Sequence, residues 1–397
     1  MRCRITERRT CSGETYRPSF AIDPRRGRPG ILAFVLTRVY IDNFRCFVNF
    51  EYRPEAKQLL LGANGSGKSS LVEAIRYIKE FVNGWENPFT QSARTRWQEK
   101  PLQVFEIGAL LDGRRYEYRL EIRSAAEART LTLNLESLKV DGSLVFELSN
   151  GEIRFSPSDG RQSPGLKWEE TESALHLWRS NDAHVRRFVE WTKTIHALRI
   201  DAYSGKMDEA SDHEERWPDY ELENLAGWYR YLVQAEPEEN VRFLNSLKET
   251  LDGFLALRLL PDEHGLKKLR ASFTAPSHGR ADYSISELSD GQRCLIALYL
   301  VLHFLIAKGH TVFIDEPENN ISIREMQPWL LAAETAVEDS HGQLILISHH
   351  PELLDQWAND YGLRFFREEN GHVRTERFEA DPDLQPSELI ARGWESD

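Results

Sequence analysis

Residues 57–84 read "KQLLLGANGSGKSSLVEAIRYIKEFVNG", and this stretch decides the fold. "KQLLLG" is a continuous apolar run ending in glycine, as expected of a strand buried on both faces that feeds a loop. Gly62-Ala63-Asn64-Gly65-Ser66-Gly67-Lys68-Ser69 then fits the phosphate-loop pattern in full. Beyond it, apolar residues recur at helical spacing as far as Gly84, a helix stop. Glycines let successive backbone N–H groups turn inward around phosphate oxygens, and the positive end of the following helix adds to the attraction. Gly62, Asn64, Gly65, Ser66, Gly67, Lys68, Ser69 and Ser70 are therefore the candidate nucleotide contacts. Lys68 would reach the β- and γ-phosphate oxygens, and the Ser69 hydroxyl would ligate magnesium.

Two later apolar strands end in polar residues, which is how parallel core strands deliver side chains to a ligand. "HTVFIDEPENN" (310–320) ends in Asp315, a magnesium holder through water, and Glu316, a base for the attacking water. Glu318 is an alternative base, but its place beyond Pro317 aims it elsewhere. "GQLILISHHPELL" (342–354) ends in His349 and His350, of which His349 is the preferred partner for the γ-phosphate or the attacking water. Adjacent strand residues face opposite ways, so the two histidines do not form a metal pair.

Between these strands and the phosphate loop lies "ISELSDGQRCLIALYLVLHFL" (285–305), a short polar loop opening a long apolar helix. Ser289, Gly291 and Gln292 are suited to gripping a phosphate. In one subunit a second such loop is redundant; it makes sense if it serves a nucleotide bound by another copy. "LSDGQ" resembles the signature loop of the ABC ATPase superfamily, usually written LSGGQ. The order of phosphate loop, signature, acidic strand and histidine strand is similar to that superfamily over the whole nucleotide head. The resemblance implies a head-to-tail homodimer with two ATP and two magnesium ions at its interface. Ser289, Gly291 and Gln292 would complete the partner's site, and hydrolysis would release the dimer.

The branch is suggested by what separates Lys68 from Ser289. Asp112-Gly113, Asp141-Gly142 and Asn150-Gly151 punctuate alternating runs over 102–155, predicting an antiparallel meander. Residues 171–258, rich in Trp, Leu and charge, read as mostly helical. Such an insertion speaks against a transporter subunit. "IDNFRCF" resembles the opening strands of SMC-like and RecF-like ATPases, and "DEPENN" the coil-free AAA-labelled ATPases of bacterial anti-phage systems such as Septu and the OLD family. By that resemblance Arg45 lies near the nucleotide; its other reading is an exposed strand residue. The sequence departs from the pattern at Asp290, usually glycine, and at Ser322, where many ABC heads place aspartate. Gln91, Gln98 and Gln103 all remain candidates for the glutamine that senses magnesium. The chain ends too soon after His349 for the nuclease domain that OLD proteins append.

The expected fold is thus α/β: a P-loop ABC ATPase head with a mixed core sheet, an antiparallel β meander and a helical insertion. Its expected division is a basic tail over 1–33, a nucleotide-binding core over 34–100 and 280–397, a β lobe over 101–156, and a mainly helical insertion over 157–279. Residues 1–30 hold eight arginines against three acidic residues and no hydrophobic periodicity. They read as a disordered tail, with a basic nucleic-acid arm or a translation start placed too far upstream as alternatives. Composition is otherwise that of a soluble globular protein: 397 residues, 41% hydrophobic, 28% charged, net charge −13. The run from Cys294 to Ala307, broken by His303, reads as a buried helix, so no membrane is expected. Cys3, Cys11, Cys46 and Cys294 have no metal-ligand spacing, which suits the cytoplasm. The acidic run at 208–215 reads as a solvated loop. Basic stretches at 184–199 and 264–273 could touch double-stranded DNA or be solvated faces of amphipathic helices. Two functions follow from the resemblance: a nucleotide-gated scaffold in anti-phage defence holding a separate effector such as a nuclease, and a DNA-stimulated ATPase of repair or chromosome maintenance.

Overall fold

The computed structural model describes residues 34–85, 88–89, 94–124, 131–155, 166–167, 172–175, 182–200, 207, 210–263, 265–276, 279–367 and 371–392. The expected tail, Gln91 and part of the acidic run lie outside them.

The centre is a sheet ordered β10 (Ile195–Arg199), β15 (Thr311–Asp315), β16 (Gln343–Ile347), β3 (Lys57–Leu61), β17 (Gly362–Arg367) and β18 (Val373–Arg377). The first five run parallel, and β18 returns antiparallel as the second arm of a hairpin. Alternate residues enter two different cores. Leu59, Leu61, Val312, Ile314, Leu344 and Leu346 face one; Leu60, Phe313, Ile345 and Ile347 face the other. Burial on both faces explains why these strands are apolar without interruption.

On one side lie α5 (Asp290–Phe304), α6 (Ile323–Ser340) and α7 (Pro351–Tyr361). On the other, α1 (Lys68–Asn83) is packed beneath an antiparallel sheet. That sheet is ordered β2 (Phe50–Tyr52), β1 (Phe34–Asp42), β4 (Leu102–Leu111), β5 (Arg114–Ser124), β6 (Leu131–Val140), β7 (Ser143–Ser149), β8 (Glu152–Phe155) and β9 (Leu166–Lys167). Its tight turns are those anticipated: Asp112, Asp141 and Asn150 have φ near +50°, each followed by a glycine at positive φ. This left-handed pair matches the strand twist of two-residue hairpins. The two sheets are joined by the side chain of Gln343, which bonds both the N–H (2.7 Å) and the carbonyl (2.9 Å) of Leu36.

β1 and β2 form the beginning of the antiparallel sheet. The stretch 157–279, expected to be mainly helical, is mixed. It holds α2 (Ala183–Thr192), α3 (Leu225–Ala235) and α4 (Pro237–Thr250), but also β10, β11 (Ala210–Ser211), β12 (Phe254–Pro261) and β13 (Lys267–Phe273). With β14 (Ala281–Ser284), the last three form a small separate sheet, while β10 inserts beside β15 in the centre. The five residues of β10 are too few to show a period of their own between helix and loop.

Asp290–Lys308 is long and apolar enough by composition to span a bilayer, yet 67% of its window is buried inside the protein, as a core helix would be.

Glu136, on β6, is fully enclosed and accepts hydrogen bonds from the Tyr118 and Ser173 hydroxyls and the Ala174 N–H. Burial outweighs these bonds and pushes its carboxyl up to about 7. The folded state therefore retains a proton that the unfolded chain releases near pH 4.5. Stability is greatest below that pH and is lost as pH rises towards 7, by about 3 kcal/mol in all. Glu136→Gln should gain stability relative to the parent between pH 5 and pH 8. Thermal melts of both proteins at the two pH values check this; a constant difference would contradict it.

Candidate nucleotide site

The phosphate loop links the buried end of β3 to the first turn of α1. Gly62, Gly65 and Gly67 have φ of 137°, 80° and 113°, values that L side chains rarely adopt. Space is also limiting at two of them. A Cβ on Gly62 would lie 2.2 Å from the Phe365 carbonyl oxygen, and one on Gly67 3.0 Å from Val373 and 3.2 Å from the Cys46 sulfur. The β17–β18 hairpin therefore backs the loop and fixes its shape.

Lys68 is only 5% exposed and donates to the carbonyls of Gly62 (2.6 Å) and Ala63 (3.2 Å). Burial lowers its ammonium to about 8, while the carboxylates of Asp315 and Glu316 oppose the shift. A phosphate alongside would raise it again by the same electrostatics.

The Ser69 hydroxyl donates to Asp315 Oδ2 at 3.0 Å, so the two expected magnesium positions meet across the C-terminal ends of β3 and β15. Both offer oxygen only, the donor type a hard dication takes. Burial raises the Asp315 carboxyl, with the Ser69 bond and the charges of Arg199 and Lys68 pulling it back. Glu316 has a left-handed φ of 53°, its N–H bonded to the Ile347 carbonyl (2.8 Å) and its Oε2 accepting from Asn319 (3.0 Å). A non-glycine residue in this region is costly and over-determined by its neighbours, as often at functional sites.

One cleft is lined by Asn64, Gly65, Gly67, Lys68, Ser69, Ser70, Asp315, Glu316 and His349, and also by Arg199. The His349 imidazole is held below its ordinary value by partial burial and the nearby Lys68 charge. It is thus neutral at physiological pH, with one ring nitrogen donating and one accepting. His350 and Glu318 turn away into a crevice beside α6 and α7. Glu318 is held by the Ser348 hydroxyl, and burial raises its carboxyl.

Ser289 and Gly291 do not line this cleft. Ser289 caps α5: its Oγ accepts from the Gln292 N–H (3.3 Å), and its own N–H donates to Gln292 Oε1 (3.1 Å). Asp290, in the place of the usual glycine, pairs with Arg293. A Cβ on Gly291 would meet the Asn320 carbonyl oxygen at 2.7 Å, so this loop is packed against the segment that follows Glu316. Ser322, where aspartate is usual, begins α6 in a capping box with Glu325. Arg45 has a φ of 49° and reaches Glu73 on α1 at 2.5 Å. Gln103 is fully buried and donates to the Asn43 carbonyl (3.0 Å), away from the cleft, while Gln98 lies in a turn.

Some cations of the basic stretches are paired. In 184–199, Arg187 pairs with Asp112 and Lys193 with Glu190. The second stretch forms strand β13 rather than a helix, with Lys268 paired to Asp262 and Arg270 to Glu287.

Arg199 is the lining residue that motif reading missed. It stands at the end of β10, inside a segment expected to be helical. Recognising "IHALR" as a sixth core strand was the signal that could have found it.

The family model described as "AAA domain, putative AbiEii toxin, Type IV TA system" matches residues 59–355. The chain is 24% identical over 260 residues to "DNA replication and repair protein RecF" from Shewanella sediminis (strain HAW-EB3). That match covers 63% of this chain and spans 64% of the relative's length. Among solved structures, the SmcHead bound to the C-winged helix domain of ScpA superposes with a TM-score of 0.50 at 12% identity, over 86% of this chain and 98% of that one. The SMC head domain from Thermotoga maritima superposes with a TM-score of 0.45 at 16% identity, over 87% and 99%. The likeness to the first of these heads is one of fold.

Proposed function

The chain belongs to the AAA-domain family whose model it matches over most of its length, and from that premise we propose that it hydrolyses MgATP as a head-to-tail dimer. One observation carries the reading. Lys68, Ser69, Asp315, Glu316 and His349 line one cleft at the ends of three parallel strands, while Ser289 and Gly291 lie outside it. The first set supplies almost a whole phosphoryl-transfer site, and the second is free to serve the partner's nucleotide.

In this reading the phosphate-loop N–H groups and Lys68 hold the phosphates. Ser69 and Asp315 would hold magnesium, which neutralises phosphate charge when bound. Glu316 accepts a proton as water attacks the γ-phosphorus and the bond to the ADP oxygen breaks. His349 bonds a γ-phosphate oxygen or the attacking water. Catalysis is by positioning and electrostatics, with no covalent intermediate.

We further propose that nucleotide state switches the engagement of a separate effector in anti-phage defence, an effector with nuclease chemistry. A net charge of −13 and the ion pairs of Arg187 and Lys268 support a protein partner over a nucleic-acid one. The second reading, a DNA-stimulated repair ATPase, draws on the RecF similarity. Steady-state ATP hydrolysis with and without linear double-stranded DNA separates them, with Lys68→Ala as the blank. The switch reading predicts a rate within about twofold of the DNA-free value. Strong stimulation that fades with salt would favour repair.

A further inference from the structure

We infer that Arg199 is a second cationic group of the nucleotide cleft, acting within its own subunit on the phosphoryl group being transferred. The inference rests on the ATPase reading above and adds a residue that none of the sequence motifs contains.

Register is the first support. β10 runs parallel to β15, and Arg199 is the Cα partner of Asp315. Adjacent strands lie about 4.8 Å apart, so a long side chain leaving that position is within reach of whatever Asp315 and Glu316 address. Arg199 lines the same cleft as Lys68, Ser69, Asp315, Glu316 and His349.

Anchoring is the second. The Arg199 N–H donates to the Tyr220 carbonyl at 2.7 Å, which fixes the end of an edge strand that would otherwise fray. Ile195, His196 and Leu198 of the strand are buried, while Arg199 itself is exposed. Among the described residues, no ion pair or hydrogen bond engages its guanidinium. By contrast Arg45, the other arginine considered for the nucleotide, is engaged by Glu73.

Charge is the third. Asp315 and Glu316 bring two carboxylates to a site that must also accept a polyanion. Among the described residues, Lys68 is the other Lys or Arg side chain lining the cleft. A guanidinium stays charged at all physiological pH and presents a planar fork suited to two phosphate oxygens. As water attacks and the bond to ADP breaks, negative charge spreads over the equatorial oxygens of the transferred group. Arg199 stabilises that charge, makes no bond and takes no proton. Arginines placed in this way contribute roughly 10³–10⁵ to turnover in other phosphoryl-transfer enzymes.

The test compares the parent, Arg199→Ala, Arg199→Lys and Glu316→Gln for ATP binding, turnover and capture of ADP with aluminium fluoride. We expect Arg199→Ala to keep MgATP affinity within about threefold, lose about 100-fold or more in kcat, and fail to capture ADP–aluminium fluoride. Arg199→Lys should recover part of the turnover. Equal loss of affinity and turnover would show that Arg199 only holds the Asp315 pocket together, overturning the proposal. A kcat within about threefold of the parent would also overturn it. Glu316→Gln keeps the two readings distinct. If it is inactive while Arg199→Ala is fully active, the ATPase site stands and the role of Arg199 falls. A parent without turnover would sink both.

Discussion

Glu316→Gln should bind MgATP with near-parental affinity while its turnover falls by about a thousandfold or more. The geometry argues for this separation. Glu316 follows Asp315 at the end of β15, and its backbone is locked by the bond to Ile347 and its carboxylate by Asn319. The groups that would hold phosphate or magnesium make their hydrogen bonds without it: Lys68 donates to the Gly62 carbonyl and Ser69 to Asp315. Glutamine keeps the shape and the Asn319 bond but cannot take a proton from water. Loss confined to kcat marks an interaction needed only in the transition state. If instead affinity fell along with turnover, Glu316 would be part of the binding cradle, and Glu318 would have to be reconsidered as the base.

Gly62→Ala should be strongly damaging to both stability and nucleotide binding. The new Cβ would lie 2.2 Å from the Phe365 carbonyl oxygen and 2.9 Å from Ser66 Oγ, and the backbone is held at φ 137°. The obstacle on one side is backbone of a central strand, which cannot swing away as a side chain could. Clash and an unfavourable φ add, so a loss of at least ~3 kcal/mol is expected. The Gly62 carbonyl also accepts from Lys68, so any displacement reaches that amine. Denaturant unfolding should show the lost stability, and calorimetric titration with MgATP the lost binding. Gly65→Ala provides the contrast. Nothing lies within 4 Å of its added Cβ, so only the strain at φ 80° should register.

Local chemistry was legible in the sequence, and non-local pairing was not. The phosphate loop, the Asp-Gly and Asn-Gly turns and the apolar strands ending in Asp315 and His349 are signals contained in a few consecutive residues. The structure gives each its expected element. That the two histidines after β16 diverge was also within reach, and His349 lines the cleft while His350 lines the crevice beside α6 and α7. The pairing of β1 with β4 could not be read, because the two strands are distant in sequence and their alternation suits either sheet. β10 was hidden by its length and by the helix-rich segment around it, and Arg199 was hidden with it. The contact of Gly291 with the Asn320 carbonyl could not be read at all. The glycine is expected in its motif for phosphate binding, yet within the subunit it permits close approach of two loops.

In the proposed dimer that second role has a consequence. The loop at Ser289–Gln292, packed against the residues after Glu316, would link the end of β15 to the surface proposed to meet a partner. The central claim is that this surface closes on another copy's nucleotide, and the mass of Glu316→Gln in solution tests it most directly. Light scattering after size exclusion should give a monomer without nucleotide and a dimer with MgATP, and adding Ser289→Arg should return the MgATP form to a monomer. A mass that ignores MgATP, or a dimer that survives Ser289→Arg, would contradict the composite site.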